Sequence, residues 1–167
     1  NESQLEAVFA AYAEIGMRAN VSGHVINRPF FETIPYLEQT LPDVHKEKFL
    51  RVPPITLEAY VTFCEEAVDR FHETAGGRLR YVVAPSGPQR CTPELLKTIA
   101  DFSRSRDVAF HIHILETRTQ RVTGTHLYGK SLIRLMADLD ALHERTSIAH
   151  AIWIDEDDIA LIAASGA

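Results

Sequence analysis

Short apolar runs rich in Val, Ile and Phe alternate along this chain with longer stretches whose apolar residues recur at helical spacing. The runs predict strands over 17–26, 79–84, 108–117 and 147–154, and the longer stretches predict helices over 4–16, 57–74, 92–104, 131–142 and 155–164. Strands that alternate with helices indicate βαβ units on a parallel sheet, which is the α/β class. An eight-stranded (β/α)8 barrel takes about 250 residues, and the predicted units amount to about half of one.

Two segments do not fit the alternation. The Pro-rich segment 27–54 predicts a long irregular excursion with one short helix near 35–41. Excursions of this length inside compact domains are usually functional lids or insertions. The polar segment 117–130 predicts a loop with at most one turn of helix. No composition shift marks a linker, so we expect a single, partial barrel domain over 1–167.

Composition and charge exclude several classes of protein. A content of 46% hydrophobic and 24% charged residues is ordinary for a soluble globular domain. The net charge of −6, without a Lys/Arg cluster, argues against nucleic-acid binding. No apolar run approaches the roughly 18 residues of a membrane span. No basic-then-apolar leader stands out, which favours the cytoplasm, although the first and last residues give the impression of cuts in a longer polypeptide.

The two cysteines, Cys64 and Cys91, make neither a disulfide framework nor a zinc knuckle. We expect each to be a small buried apolar residue.

The strand at 108–117 carries the most informative polar residues. Alternation along a strand sends His111 and His113 to the same side, and buried imidazoles need a hydrogen bond or a ligand. Glu116 has the opposite parity, so it reaches that side only if the strand has ended and the chain is turning. A histidine at a strand end with a carboxylate three residues on suits a metal ligand beside a general acid/base. A core strand whose histidines bond to main-chain carbonyls would give the same pattern.

Active sites of parallel α/β folds gather at the carboxyl ends of the strands. The polar residues predicted at those ends are Ser86, Gln89, His113, Glu116 and His150. Two histidines and a glutamate there suit a hydrolytic metal centre, in which histidine holds a cation that activates water. Glutamate then shuttles the proton, and a further histidine steadies the developing oxyanion. His111 lies deeper in its strand and is interpreted as structural, His24 as a loop or strand-end residue, and His45 as solvated.

Four motifs taken together resemble the amidohydrolase superfamily, in particular its cytosine/guanine deaminase and triazine hydrolase (ATZ/TRZ-like) branch. They are Ala84–Thr92, Ile112–Thr117, Tyr128–Ser131 and Ser147–Trp153. The resemblance implies a TIM barrel, of which the chain would cover roughly strands three to six. It implies one divalent metal, usually zinc or iron, and hydrolysis of an amino or similar group from an aromatic nitrogen heterocycle. Homodimers are common in that family.

The resemblance also implies individual roles. His113 is similar to the fifth-strand metal ligand, Glu116 to the proton shuttle, and His150 to the sixth-strand histidine that contacts the metal or its water. Ser86 and Gln89 are similar in position to residues that contact the substrate. Ser86 stands where some adenosine-type deaminases carry histidine, which argues against a thiomethyladenosine or adenosylhomocysteine substrate. The family's first-strand His-x-His pair and eighth-strand Asp are absent from these residues.

Two alternatives stay open at this point. The chain could be a non-catalytic α/β binding module with structural histidines. The same fold could also release chloride or alkylamines from triazines or open a cyclic amide. A histidine pair upstream and a bound metal would distinguish an enzyme from a binding module.

Overall fold

The computed structural model describes residues 2–49 and 55–167, and its strands form three parallel pairs. The strands are β1 (Ala19–Val21), β2 (His24–Val25), β3 (Leu79–Tyr81), β4 (Ala84–Pro85), β5 (Phe110–Ile114) and β6 (Thr146–His150). β1 pairs with β3, β2 with β4, and β5 with β6, all in parallel. A parallel bridge between Val83 and Phe110 joins the two halves. The strand regions therefore lie side by side in chain order, and the predicted α/β class is confirmed.

Helices and turns connect these strands. The α-helices are α1 (Glu2–Glu14), α2 (Leu37–Thr40), α3 (Asp43–Phe49), α4 (Leu57–Phe71), α5 (Thr74–Gly77), α6 (Pro93–Arg106), α7 (Arg118–Tyr128), α8 (Leu132–Asp138) and α9 (Glu156–Ser165). Thr56 and Thr92 cap α4 and α6 by accepting hydrogen bonds from the first turns of these helices, next to the starts predicted at 57 and 92. Asp155 and Asp158 form a capping box that starts α9. These three helix starts are confirmed.

Most strands are shorter than their apolar runs predicted. The run at 17–26 breaks at Ser22 and Gly23 into β1 and β2, and the run at 79–84 breaks into β3 and β4. β6 ends at His150 because His150 and Ala151 both adopt positive φ, at 77° and 48°. The predicted strand at 147–154 includes apolar residues after His150, but these residues are not part of β6.

The prediction of a polar loop over 117–130 is wrong, since α7 occupies most of it. Thr117 accepts a hydrogen bond from the Gln120 N–H at the helix start, and Gly129 ends the helix at φ 67°. The helix packs through Thr123 and Gly124, which are both buried. Small side chains give no apolar periodicity, so the sequence did not reveal this helix.

The excursion at 27–54 contains more helix than the sequence indicated. A 3-10 turn at Phe30–Thr33 and the short helices α2 and α3 occupy its described part. Its last two prolines, Pro53 and Pro54, lie outside the described residues.

The core lies between the sheet and the helices α4, α6 and α8. Its largest fully buried side chains include Tyr60, Tyr81, Leu95, Leu96, Ile99, Phe110, Ile112, Ile114, Leu132 and Ile133. Cys64 and Cys91 are buried free thiols, as predicted.

Among the residues that the structure describes, no helix combines the length and the apolar character needed to cross a bilayer.

Candidate active site

β5 sorts its side chains as strand alternation requires. Phe110, Ile112 and Ile114 are fully buried against the helical layer. His111 and His113 are half-buried on the other side, and their ring centroids are 5.3 Å apart. The two histidines therefore share one side of the sheet, which confirms the prediction from their spacing.

The chain turns immediately after β5. Leu115, which is fully buried, adopts the left-handed conformation with φ 54°. Its carbonyl oxygen accepts the N–H groups of Ile152 and Trp153. Because of this turn, Glu116 lies beside the strand ends. This agrees with the prediction that Glu116 reaches the side of His113 only where the strand has ended. A non-glycine residue at positive φ costs of order 1–3 kcal/mol, and such strain clusters at functional sites.

The second histidine of the site is His150, which lies at the end of β6 close to His113. The ring centroids of His113 and His150 are 5.4 Å apart. Nε2 of His150 lies 3.7 Å from Oε2 of Glu116, whose side chain is 49% exposed. The residues His113, Glu116 and His150, which the sequence singled out separately, thus meet at one open end of the sheet. We call them the strand-end triad.

His111 has a partner of its own below the triad. Its Nδ1 lies 3.2 Å from Oγ of Ser147 on β6. Burial, followed by the proximity of His113, lowers the pKa of His111. A hydrogen-bonded, neutral imidazole is consistent with the structural role predicted for this residue.

The loop after β4 packs against the triad. Ser86 and Gln89 are both buried, at 8% and 5% exposure. A side chain at Gly87 would come within 3.0 Å of both Oε1 of Gln89 and the main-chain oxygen of His113. Glycine therefore lets this loop approach β5 closely. Oε1 of Gln89 has no hydrogen-bond partner among the described residues.

Sequence reasoning considered His24 for the site but preferred a loop or strand-end residue outside it, whereas the structure places it in β2. It stands at the end region of the first strand pair, in β2, and its side chain is exposed. Burial of part of the ring, followed by the charges of His113 and Arg90, lowers the pKa of His24. The rule that strand ends carry the site would have found it, but the break at Ser22 and Gly23 hid where the strand ends.

The donor chemistry of the triad fits part of a site for a divalent cation. Zinc accepts imidazole nitrogens at about 2.0–2.1 Å and needs three or four protein ligands. Two facing imidazoles from neighbouring strands can share such an ion. Within residues 2–49 and 55–167, no group of three or more His, Cys, Asp or Glu side chains has metal-binding geometry. A complete site would need ligands beyond those described.

Histidines and a carboxylate lie at the strand ends of this parallel β/α sheet. This is the arrangement of α/β folds whose site lies at the carboxyl ends of the strands. The chain belongs to the amidohydrolase family, whose model matches residues 1–167. The resemblance inferred from the motifs is confirmed.

Related proteins carry deaminase names. The chain is 37% identical to a 5-methylthioadenosine/S-adenosylhomocysteine deaminase of Symbiobacterium thermophilum over 102 residues, which are 60% of this chain and 23% of the relative. It is 26% identical to the deaminase of the same name from Caldanaerobacter subterraneus over 158 residues, 95% of this chain and 31% of the relative. The chain therefore matches 23% to 31% of the length of these relatives.

Solved structures share the fold. An atrazine chlorohydrolase from Arthrobacter aurescens TC1, complexed with zinc, superposes with a TM-score of 0.76 at 25% identity, over 98% of this chain and 33% of that protein. A guanine deaminase from C. acetobutylicum with bound guanine superposes with a TM-score of 0.76 at 15% identity, over 99% of this chain and 35% of that protein. The chain thus has the fold of about a third of an amidohydrolase.

Proposed function

We propose that the full-length protein is a metal-dependent hydrolase that removes an amino or similar leaving group from an aromatic nitrogen heterocycle. The observation that carries the proposal is the convergence of His113, His150 and Glu116 at the ends of β5 and β6. Support comes from the deaminase names of the relatives and from the zinc complex of the chlorohydrolase.

Each residue of the strand-end triad has a distinct role in the proposal. His113 would hold the cation through a ring nitrogen, with His150 beside it on the neighbouring strand, where the two ring centroids are 5.4 Å apart. When bound there, a divalent cation would supply the Lewis-acid chemistry that makes water nucleophilic near neutral pH. Oε2 of Glu116 accepts the proton of the attacking water and delivers it to the ring nitrogen beside the reacting carbon. The attack forms the C–O bond. Transfer of the proton of the new hydroxyl to the amino nitrogen then lets the C–N bond break, so that the carbon becomes a carbonyl, the ring nitrogen keeps the first proton, and the amine leaves as ammonia.

Ser86 and Gln89 complete the proposed site on the substrate side. Gln89 offers a buried amide oxygen without a partner among the described residues, next to the main chain of His113. An unpaired buried acceptor favours a ligand that donates an N–H group, and amino-substituted heterocycles carry such donors.

Release of chloride from a chlorotriazine is the second candidate. The fold shared with the zinc-complexed chlorohydrolase favours it. The same attack on a ring carbon then expels chloride rather than ammonia, so the two candidates differ only in the leaving group.

The test is metal analysis of the purified full-length protein, paired with ammonia and chloride release over nucleobases, adenosine-type nucleosides, aminotriazines and chlorotriazines. We expect about one zinc or iron per chain and turnover of at least one class. His113→Ala should lose both metal and turnover. His45→Ala, at an exposed position of α3, is the matched control and should keep both. A His113→Ala protein with full metal content would contradict the assignment of His113 as the ligand, and a wild-type protein without metal and without turnover would favour a binding module.

A further inference from the structure

A cavity of about 480 Å³ is lined by β2, by the segment that follows it and by Arg90 of the loop after β4. Val25 and Ile26 give it an apolar wall, and Phe30 adds an aromatic ring. His24 also lies on its lining. The size lies within the range of small-molecule pockets. The main-chain oxygen of Val25 accepts the N–H of Ser86 at 3.0 Å, so the cavity adjoins the substrate side of the proposed site.

The cavity is held in a fixed shape by the contacts between two loops. The side-chain oxygen of Asn27 accepts the Thr92 N–H at 2.8 Å, and its Nδ2 donates to Oγ1 of Thr92 at 3.0 Å. The carbonyl oxygen of Arg90 accepts the N–H groups of Asn27 and Arg28. The loop after β2 is therefore attached to the loop after β4, and pre-formed pockets bind without an ordering penalty.

The two arginines of the cavity differ in what they are free to bind. Arg28 pairs with Glu32 at 3.3 Å and donates to the Tyr128 hydroxyl at 2.6 Å. The guanidinium of Arg90 is half-buried, lies 5.9 Å from the centroid of the Phe30 ring, and has no carboxylate partner among the described residues. Arg90 therefore carries an uncompensated positive charge into the cavity.

We propose that Arg90 sets substrate specificity by binding an anionic oxygen group, a carboxylate or a phosphate, that the heterocyclic substrate carries. The guanidinium fork matches both groups through paired N–H···O bonds. The substituent extends from the reacting ring at His113, past His24, into the cavity. This inference rests on the proposed function only in one respect, which is that the substrate carries an aromatic nitrogen heterocycle.

Calorimetric titration of the full-length protein tests the proposal with hydroxypurine nucleosides, which a deaminase releases as products and does not consume. The three probes are 5′-deoxyinosine, inosine-5′-carboxylic acid and inosine 5′-monophosphate. They share one ring and differ in having no charge, a carboxylate or a phosphate, so the preferred probe identifies the group. We expect at least one anionic probe to bind about tenfold or more tightly than the neutral one.

Arg90→Gln should abolish this preference, and Arg90→Lys should keep part of it because the charge remains. Arg134→Gln, at an exposed position of α8, is the matched control and should leave the preference unchanged. An unchanged preference in Arg90→Gln, or equal or absent binding of all probes by the wild type, would overturn the proposal. Because binding is measured without turnover, a failed ammonia screen refutes the proposed hydrolase and leaves this result standing.

Discussion

Glu116 owes its position to the residue before it. Ile114 ends β5, and the left-handed Leu115 redirects the chain so that the carboxylate comes within 3.7 Å of His150. Its side chain is half-exposed to solvent. This position and exposure are compatible with the proton transfer proposed for Glu116.

Glu116→Gln should lower kcat of the full-length protein by about 10²–10⁴-fold, because the amide cannot accept the proton of the attacking water. KM and metal content should stay close to wild type, since the shape and the ligands are retained. Steady-state kinetics with metal analysis measure both. Glu94→Gln, at an exposed position in the first turn of α6, is the control. Wild-type kcat in Glu116→Gln would show that another group relays the proton.

His143 is a titratable residue of the core that the proposed chemistry does not use. It is 5% exposed, and its Nε2 has no hydrogen-bond partner among the described residues. Burial, followed by the charge of Arg104, lowers its pKa from 6.5. The folded state thus favours the neutral ring, while the unfolded chain takes up a proton near the ordinary value.

The free energy of unfolding should therefore decrease as the pH falls from 6.5 towards the lowered pKa of folded His143, and this contribution is fully present above 6.5. His143→Gln removes the titration and should show a smaller loss between about pH 8 and about pH 5. Urea unfolding at the two pH values measures the difference. His45→Gln, at an exposed position, should behave like wild type. An identical pH dependence in His143→Gln would mean that other groups cause it.

At the scale of elements, the break between β1 and β2 decides where His24 lies. Gly23 occupies the break, and its carbonyl oxygen accepts the Tyr60 hydroxyl at 2.8 Å. A Cβ at Gly23 would overlap the ring of Phe63. That ring is held between Tyr60 and Tyr81, with centroids 6.4 Å and 6.5 Å away. Helix α4 therefore fixes the strand pair that carries His24.

Gly23→Ala should destabilise the full-length protein by about 1–3 kcal/mol, because the added methyl group forces the Phe63 ring out of its packed position. The double variant Gly23→Ala/Phe63→Leu makes room for the methyl group and should lose less stability than the sum of the two single variants. Urea unfolding of the four proteins measures the coupling. Additive losses would show that the methyl group and the ring do not compete for space.

The sequence predicted these elements where side-chain alternation and caps were strong. β5 and its same-side histidines followed from the period of two, and Thr92 with Pro93 marked the start of α6. The helix α7 was missed because its buried residues are Thr123 and Gly124, which carry no apolar signal. The position of His24 was missed because a glycine break depends on the ring of Phe63, 40 positions away in the sequence, and no local pattern reports such a contact.

At the scale of the whole molecule, the sheet has two edges and an uncovered side. In the part of the chain that the structure describes, β1 and β6 each pair on one side only. The side that carries His111 and Ser147 is only half-buried or exposed. A closed barrel pairs every strand and covers this side. Residues 1–167 on their own therefore present unpaired N–H and C=O groups, which are templates for association.

Residues 1–167 produced alone should self-associate in a concentration-dependent manner, as measured by sedimentation velocity. Ala149 lies on the edge strand β6, in register with His113. Ala149→Lys places a charge on the side of the sheet that a second copy would cover, and charged side chains on edge strands prevent pairing. This variant should stay monomeric at concentrations where wild type associates. Ala7→Lys, at an exposed position of α1, adds the same charge away from the edge and should associate like wild type. Equal association of both variants would place the contact elsewhere on the molecule.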